Sequence, residues 1–160
     1  MSTELPEEVS LFDTMDSLVI ANGQLTGGLP SSIFKMQNLK QLDLDKNAMD
    51  GELIIDGEGS IERLDINFNN FSGSIDFLAS FPNLVEAQLD NNMFDGTIPD
   101  NLGSLTNLRI LTLHGNALTG TMPQSVCDLK DHKLKYLMAD CDGSNPKVVC
   151  PCCTHCNPYR

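Results

Sequence analysis

A repeat with a period of about 24 residues constrains the fold of this chain more than any other feature of its sequence. The order and spacing of leucine, asparagine, glycine and proline in residues 84–99 return in residues 108–123. Copies of the pattern start near residues 15, 39, 61, 84 and 108. One copy cannot bury its own apolar side chains, whereas stacked copies can. The repeat therefore predicts a solenoid in which successive turns of chain share one core.

Each copy contains a short alternation of apolar and polar residues, as in Leu42-Asp43-Leu44. This period of two is typical of a half-buried strand. The bend after the strand carries an asparagine in four copies and Gly23 in the first. An amide side chain can satisfy both donors and acceptors of the backbone. We therefore expect a structural ladder formed by Asn47, Asn69, Asn92 and Asn116.

With its continuation Leu-x-Gly-x-Ile-Pro past the asparagine, the repeat resembles the leucine-rich repeat family, and within it the plant-type, extracellular subfamily. The resemblance implies an α/β solenoid of about six rungs. This fold is a right-handed superhelix with one parallel strand per repeat on the concave face and short helical or irregular segments on the convex face. The sequence departs from the pattern at Asp56 to Ser60 and at Ile75-Asp76. These departures leave the local curvature open.

The repeat pattern divides the chain into three parts. Residues 1–14 align with a partial repeat, residues 15–133 hold the leucine-rich repeats, and residues 134–160 hold a last strand and a Cys-rich C-terminal cap. The chain opens in mid-repeat, without the basic and then apolar pattern of a signal peptide. No stretch approaches the roughly 20 apolar residues of a membrane helix. We expect the chain to be a C-terminal piece of a longer secreted or cell-surface protein.

All six cysteines lie near the C-terminus, and they are Cys127, Cys141, Cys150, Cys152, Cys153 and Cys156. Clustered cysteines in a turn-rich segment favour disulfides. Free thiols and a zinc site with His155 are the alternatives, although two separated Cys-x2-Cys pairs would be the usual arrangement for zinc. The connectivity is not deducible, but Cys152 and Cys153 should have different partners because neighbours rarely meet disulfide geometry. The cap resembles the C-terminal flank of extracellular plant-type repeats, and its ending resembles leucine-rich repeat proteins of diatoms and related algae.

Polar strand positions should face outward from the concave sheet in columns, and we expect them to bind the ligand. The candidate residues are Gln41, Asp43, Asp45, Arg63, Asp65, Asn67, Glu86, Gln88, Asp90, Thr112, His114 and Tyr136. Four of these are aspartates that converge on the middle rungs, where exposed carboxylates about 5 Å apart repel by roughly 1 to 3 kcal/mol. They predict either a site for a basic segment or a divalent cation, or a solvated face that keeps the protein soluble.

The net charge of the chain and its sequence motifs disfavour several classes of function. The net charge of −12 disfavours nucleic acid and anionic membranes. His114 stands one rung from Asp90, but the concave columns hold no serine or cysteine nucleophile beside them, since Ser17 lies at the far end and Cys141 lies in the cap. The sequence has no phosphate-binding glycine loop and no His-Glu-x-x-His motif, so we expect no enzyme and no cofactor. Asn70 begins a glycosylation sequon.

Two functions remain open. The first is a non-catalytic recognition module that binds a protein, peptide or polysaccharide on its concave face, as the family resemblance implies. The second is a structural or adhesive spacer with no specific ligand. Both place the chain outside the cell or at its surface.

Overall fold

The computed structural model describes residues 3–157, and the predicted partial repeat and the predicted cap each extend outside this range, at Met1–Ser2 and Pro158–Arg160. The described part is built from short strands. In chain order they are β1 (Thr3–Glu4), β2 (Ser17–Val19), β3 (Leu25–Gly27), β4 (Gln41–Asp43), β5 (Ala48–Glu52), β6 (Arg63–Asp65), β7 (Asn70–Gly73), β8 (Glu86–Gln88), β9 (Met93–Phe94), β10 (Ile110–Thr112), β11 (Gly120–Thr121), β12 (Tyr136–Ala139), β13 (Val148–Val149) and β14 (His155–Cys156).

Seven strands form one parallel sheet in the order β14-β12-β10-β8-β6-β4-β2, and this is the concave sheet. Its register pairs equivalent residues of successive repeats, so that Leu64 lies opposite Leu42 on one side and Ala87 on the other. These central side chains are buried in the core. The solenoid and its parallel strands are confirmed, because residues one period apart become neighbours across the sheet.

The core is one continuous apolar column that runs through all the described repeats. Repeat-equivalent residues such as Leu39, Leu84 and Leu108 are buried, and Phe71 and Phe94 fill the space behind the ladder. Each turn of chain therefore depends on its neighbours for burial of its apolar side chains, as expected for a solenoid.

A second parallel sheet, β1-β3-β5-β7-β9, lies beside the concave one, and β11 pairs with β13. We expected one strand per repeat, and this sheet adds a second strand in the segment that follows the ladder residue. Glycines with positive φ end two of its strands, Gly27 at 74° and Gly73 at 81°. This left-handed conformation is open to glycine at little cost, so the chain can turn there toward the convex side.

Short helical segments form the convex side. The 3-10 helices are Glu7–Leu11, Ser31–Lys35, Asp76–Ser80, Asp100–Ser104 and Leu129–Asp131, and the α-helix α1 is Gln124–Asp128. Among the described repeats, the one that starts near residue 39 has no convex helix, and its residues 53–60 are irregular. No helix among residues 3–157 combines the length and the apolar character needed to cross a membrane.

Aromatic side chains close the core behind this irregular turn. The rings of Phe34 and Phe81, which belong to the turns on either side, approach to 5.6 Å between centroids. Gly59 lies between those turns, and a Cβ there would lie 2.4 Å from the ring of Phe81. The sequence departure at 56–60 therefore shortens the turn and lets the aromatic side chains take the place of a helix.

We expect Gly59→Ala to lower the free energy of unfolding by about 1 to 3 kcal/mol, because the added methyl overlaps the fully buried Phe81. Denaturant unfolding monitored by circular dichroism measures the change. Gly28→Ala is the matched control, since its Cβ would meet only a backbone oxygen at 3.8 Å. Equal stability of the two variants would contradict this packing.

Three disulfides hold the C-terminal cap, and they are Cys127–Cys152, Cys141–Cys156 and Cys150–Cys153. No cysteine of the described chain is free, which supports disulfides over the zinc alternative. Cys152 and Cys153 have different partners, as predicted. The bond of Cys156 also attaches β14 to the edge of β12, where Cys156 lies opposite Ala139. This tail strand adds a seventh rung that the repeat pattern does not predict.

Candidate functional site

The polar side chains at the middle of the concave sheet stand in the predicted columns. Across β4, β6 and β8 the facing pairs are Gln41–Arg63, Arg63–Glu86, Asp43–Asp65 and Asp65–Gln88. Together with Leu42 and Leu64 these six residues line a hollow of about 100 Å³, which we call the central hollow. The adjacent strands β4, β6 and β8 therefore present charged side chains and amide hydrogen-bonding groups at one place.

Asp65 lies at the centre of this hollow. Burial raises the pKa of Asp65 to about 6, because desolvation disfavours the charged carboxylate, and repulsion from Asp43 adds to the shift. The backbone N–H of Asn67 donates to Asp65 Oδ1 at 3.2 Å and opposes the shift. Gln88 Nε2 donates to Asp65 Oδ2 at 3.1 Å. A cation that approached Asp65 would relieve its repulsion from Asp43.

We expect Asp65→Asn to raise the free energy of unfolding at pH 7.5 by about 1 kcal/mol, a value kept small because the side chain is partly exposed and solvent screens its charge. The folded protein protonates Asp65 as the pH falls through about 6, whereas the unfolded chain does so near 3.8. Stability from this group is therefore complete below pH 3.8 and is lost as the pH rises through 6. Urea unfolding at pH 7.5 and 4.5 measures it.

The exposed Asp95 provides the control variant, Asp95→Asn. It removes the same charge far from the hollow and should leave the difference in stability between the two pH values unchanged. A destabilised Asp65→Asn protein, or one with the pH dependence of the parent, would contradict the assigned pKa.

Asp45 and Asp90 differ from the exposed carboxylates we expected, because they are only 9% and 6% exposed. Asp90 accepts hydrogen bonds from Thr112 Oγ1 at 2.7 Å and from Asn91 Nδ2 at 2.8 Å. Asp45 pairs with the ammonium of Lys46, and this hydrogen bond raises the pKa of Lys46. Lys46 and Asn91 lie in the bends after β4 and β8, whereas Thr112 lies on the neighbouring strand β10. The exposed acidic surface of the concave face is therefore smaller than the sequence predicts.

The other candidate residues lie outside the central hollow. Thr112 is buried against Asp90, and His114 Nε2 lies 3.7 Å from Asp90 Oδ2. Tyr136 lies on β12, two strands from β8, and its ring packs against His155 at 4.7 Å between centroids. Within the described chain, Asn67 Oδ1 and His114 Nδ1 are buried without a hydrogen-bond partner. The structure therefore separates these residues from the six that meet at the hollow.

The aspartates of the concave face do not form a cluster of metal ligands. Among residues 3–157, ligand atoms of three or more His, Cys, Asp or Glu side chains lie within 4.8 Å of one another only at Cys141, Cys150 and Cys153. All three sulfurs are in disulfides. The hollow is suited instead to ion pairs and hydrogen bonds with a partner that spans several strands.

The ladder asparagines join each turn to the one before it. Each Nδ2 donates to backbone carbonyls of both turns and each Oδ1 accepts from a backbone N–H of the preceding turn, as for Asn47, Asn69, Asn92 and Asn116. Gly23, which stands at the ladder position of the first copy, donates its N–H to Asn47 Oδ1 at 2.9 Å. The ladder fixes the spacing of the strands that carry the hollow.

Asp140 closes this ladder at the cap, and sequence reasoning did not single it out for that role. Its carboxylate accepts from the backbone N–H of Gly115 at 3.1 and 3.0 Å and of Asn116 at 3.3 Å. In earlier repeats the equivalent N–H donates to a backbone carbonyl of the next turn, as Asn91 does to His114. The sequence signal for this role is an aspartate at the last column position, where the repeat pattern stops.

Asn70, the predicted glycosylation residue, is exposed at the start of β7. A glycan there would project from the second sheet, so its site is separate from the concave columns.

Comparison with known proteins agrees with this architecture. A family model described as Leucine Rich Repeat matches residues 83–105 and 107–129. Receptor-like protein 7 of Arabidopsis thaliana is 38% identical over 114 residues, which cover 69% of this chain and 12% of that protein. The chain spans between 10% and 17% of the length of the curated relatives it matches.

Two solved structures extend the comparison. The ectodomain of the receptor kinase SOBIR1 from Arabidopsis thaliana is 32% identical, with a TM-score of 0.63, and the match covers 74% of this chain and 67% of that one. The plant peptide hormone receptor RGFR1 in complex with RGF2 is 28% identical, with a TM-score of 0.73, and the match covers 86% of this chain and 22% of that one. The diatom resemblance of the cap stays a prediction.

Proposed function

Because this chain belongs to the leucine-rich repeat family, in its plant type, we propose that it is a non-catalytic recognition module whose concave face binds a protein or peptide. The central hollow carries the proposal, since it places charged and amide side chains on three adjacent strands. A rigid sheet that holds such groups in place lowers the cost of ordering them on binding. A partner with complementary cations and hydrogen-bond donors would be favoured.

Solved relatives support a protein or peptide over the other ligand classes. RGFR1 is a peptide hormone receptor whose structure was solved with RGF2, and the SOBIR1 structure is that of a receptor kinase ectodomain. We extend this recognition role to the present chain, and we find no comparable support for a polysaccharide. The candidate contact residues are the six of the central hollow, with Asp45, Asn67, Asp90, Thr112, His114 and Tyr136 as outlying members of the face.

We also propose an extracellular location, as part of a longer secreted or cell-surface protein. Three disulfides require an oxidising compartment to persist, and the exposed Asn70 is accessible for glycosylation there. Receptor ectodomains among the solved relatives support the same location.

Selection of peptides from a displayed random library on the immobilised chain tests the recognition proposal. We expect peptides that bind saturably and lose affinity by at least about tenfold for Arg63→Ala with Gln88→Ala. Both side chains belong to the hollow, and Arg63 is exposed. Each affinity is measured by calorimetric titration with the purified peptide.

Lys35→Ala with Asn101→Ala is the matched control, because it removes one basic and one amide side chain from exposed positions on the convex helices. The control protein should bind like the parent. If no peptide binds saturably, the spacer alternative replaces the recognition module, and if both double variants bind a peptide like the parent, the central hollow is not its binding site.

A further inference from the structure

A second surface, remote from the concave sheet, has the features of a docking groove. It encloses about 620 Å³ and crosses three successive turns of chain, at residues 4–7, residues 28–31, and Glu52 with Ile54. These segments begin at, or directly after, the last residues of β1, β3 and β5, on the side of the second sheet that leads to the convex helices. The groove ends at the irregular turn 53–60, where the repeat has no helix to cover its neighbours. We call this surface the flank groove.

Apolar side chains form the walls of the flank groove. Leu29 comes from the middle turn, and Ile54, from the irregular turn, is 72% exposed. Pro6 and Pro30 stand at equivalent positions of two turns and have no N–H to donate. Isolated exposed apolar residues are common on protein surfaces, but these residues line the same groove. A partner side chain placed there would shield Ile54 from water.

Glutamates surround these walls. Glu4, Glu7 and Glu52 line the groove, and no lysine or arginine among residues 3–157 does. The stem of Glu4 lies across Gly27, where a Cβ would approach it to 3.1 Å, and the stem of Glu52 lies across Gly73 in the same way. Glycine at these positions therefore leaves room for the two glutamates to lie along the sheet.

The sequence around the groove adds to the negative charge of these glutamates. Residues 1–34 and residues 47–62 contain acidic side chains but no lysine or arginine. A net negative field over an apolar groove favours a cationic partner and repels anionic surfaces such as phospholipid headgroups.

We infer that the flank groove binds an extended segment of a partner protein that carries lysine or arginine on both sides of an apolar residue. The apolar residue packs against Leu29 and Ile54, and the flanking cations pair with Glu4 and Glu52. This site is distinct from the central hollow, so the chain would hold two partners, or two parts of one partner, on separate faces.

Fluorescence anisotropy with a labelled short peptide of alternating arginine and leucine tests the inference. We expect saturable binding that weakens about tenfold for Ile54→Ser and for Glu4→Gln with Glu52→Gln. The same peptide with serine in place of leucine, or citrulline in place of arginine, should bind at least about tenfold more weakly to the parent protein.

Two matched variants separate the groove from general attraction to an acidic protein. Asp95→Asn with Asp131→Asn removes the same number of charges from exposed positions outside both the flank groove and the central hollow, and Met93→Ser removes another exposed apolar side chain. Both should bind the peptide like the parent. Equal weakening by the two charge variants, or no saturable binding to the parent, overturns the inference without bearing on recognition by the central hollow.

Amide chemical shifts of the native chain provide a measurement that depends on no variant. Addition of the arginine–leucine peptide should move the signals of Gly28, Leu29 and Ile54 and leave those of β4, β6 and β8 in place. Shifts confined to the concave strands, or spread without a focus, overturn the inference.

Discussion

Replacing Cys127 and Cys152 together by alanine is expected to lower the free energy of unfolding by about 3 kcal/mol. The bond joins α1 to the tail across 25 residues, so its loss gives the unfolded chain more freedom. Cys127 is also packed in the core, and its sulfur contacts would be lost with the bond. Urea unfolding of the oxidised double variant against the parent measures the change.

The control is the double alanine variant of Cys150 and Cys153, a pair only 3 residues apart. Such a short loop constrains the unfolded chain less, so the loss of stability should be smaller. Mass mapping of the parent should give the three pairs seen in the structure. Equal effects of the two double variants, or a different set of pairs, would contradict the cap as described.

Asn92→Ala is expected to lower the free energy of unfolding by about 1 to 3 kcal/mol, because it leaves buried backbone groups without partners. Asn92 Nδ2 donates to the carbonyls of Ile66 at 2.9 Å and Leu89 at 3.2 Å, and its Oδ1 accepts from the N–H of Phe71 at 3.0 Å. Water cannot replace the side chain readily, since Asn92 is buried. Thermal and urea unfolding of the variant measure the loss.

Asn70→Ala is the control, because Asn70 is an exposed asparagine of the neighbouring turn. Its replacement should change stability by no more than about 0.5 kcal/mol. An unchanged midpoint for Asn92→Ala would mean that the ladder does not hold the turns together.

Features that depend on the repeat period could be predicted from the sequence. The period places Leu42, Leu64 and Ala87 in one column, and the register of the sheet does the same. The ladder asparagines follow from the same spacing, as does the column of Asp43 and Asp65. Spacing decides these features because each turn of a solenoid contacts only its neighbours.

Features that depend on individual side chains could not be predicted in this way. The column position of Asp90 indicates an outward side chain, yet Thr112 and Asn91 cover it. The bonds of Asp140 replace the contacts of a further turn, and in the sequence they are marked by nothing more than an aspartate at the last column position. Strand β14 forms because the tail folds back onto β12, which is a contact between a non-repeating segment and the last repeat.

The irregular turn shows why a departure from the pattern is informative. The segment Asp56 to Ser60 lacks the apolar spacing of a convex helix, so its place in the sequence marks where the convex surface is interrupted. The burial of Phe81 against Gly59 and the exposure of Ile54 follow from side-chain packing that the sequence alone does not specify. The groove was therefore visible only in three dimensions.

Hydrogen exchange of the native chain, with and without the tightest peptide selected on it, tests concave recognition most directly. We expect slower exchange in β4, β6 and β8 when the peptide is bound, with little change in the convex helices. Loss of that protection in the Arg63→Ala, Gln88→Ala protein would connect it to the central hollow. Protection that avoids these three strands in the native chain would contradict the concave face as its recognition surface.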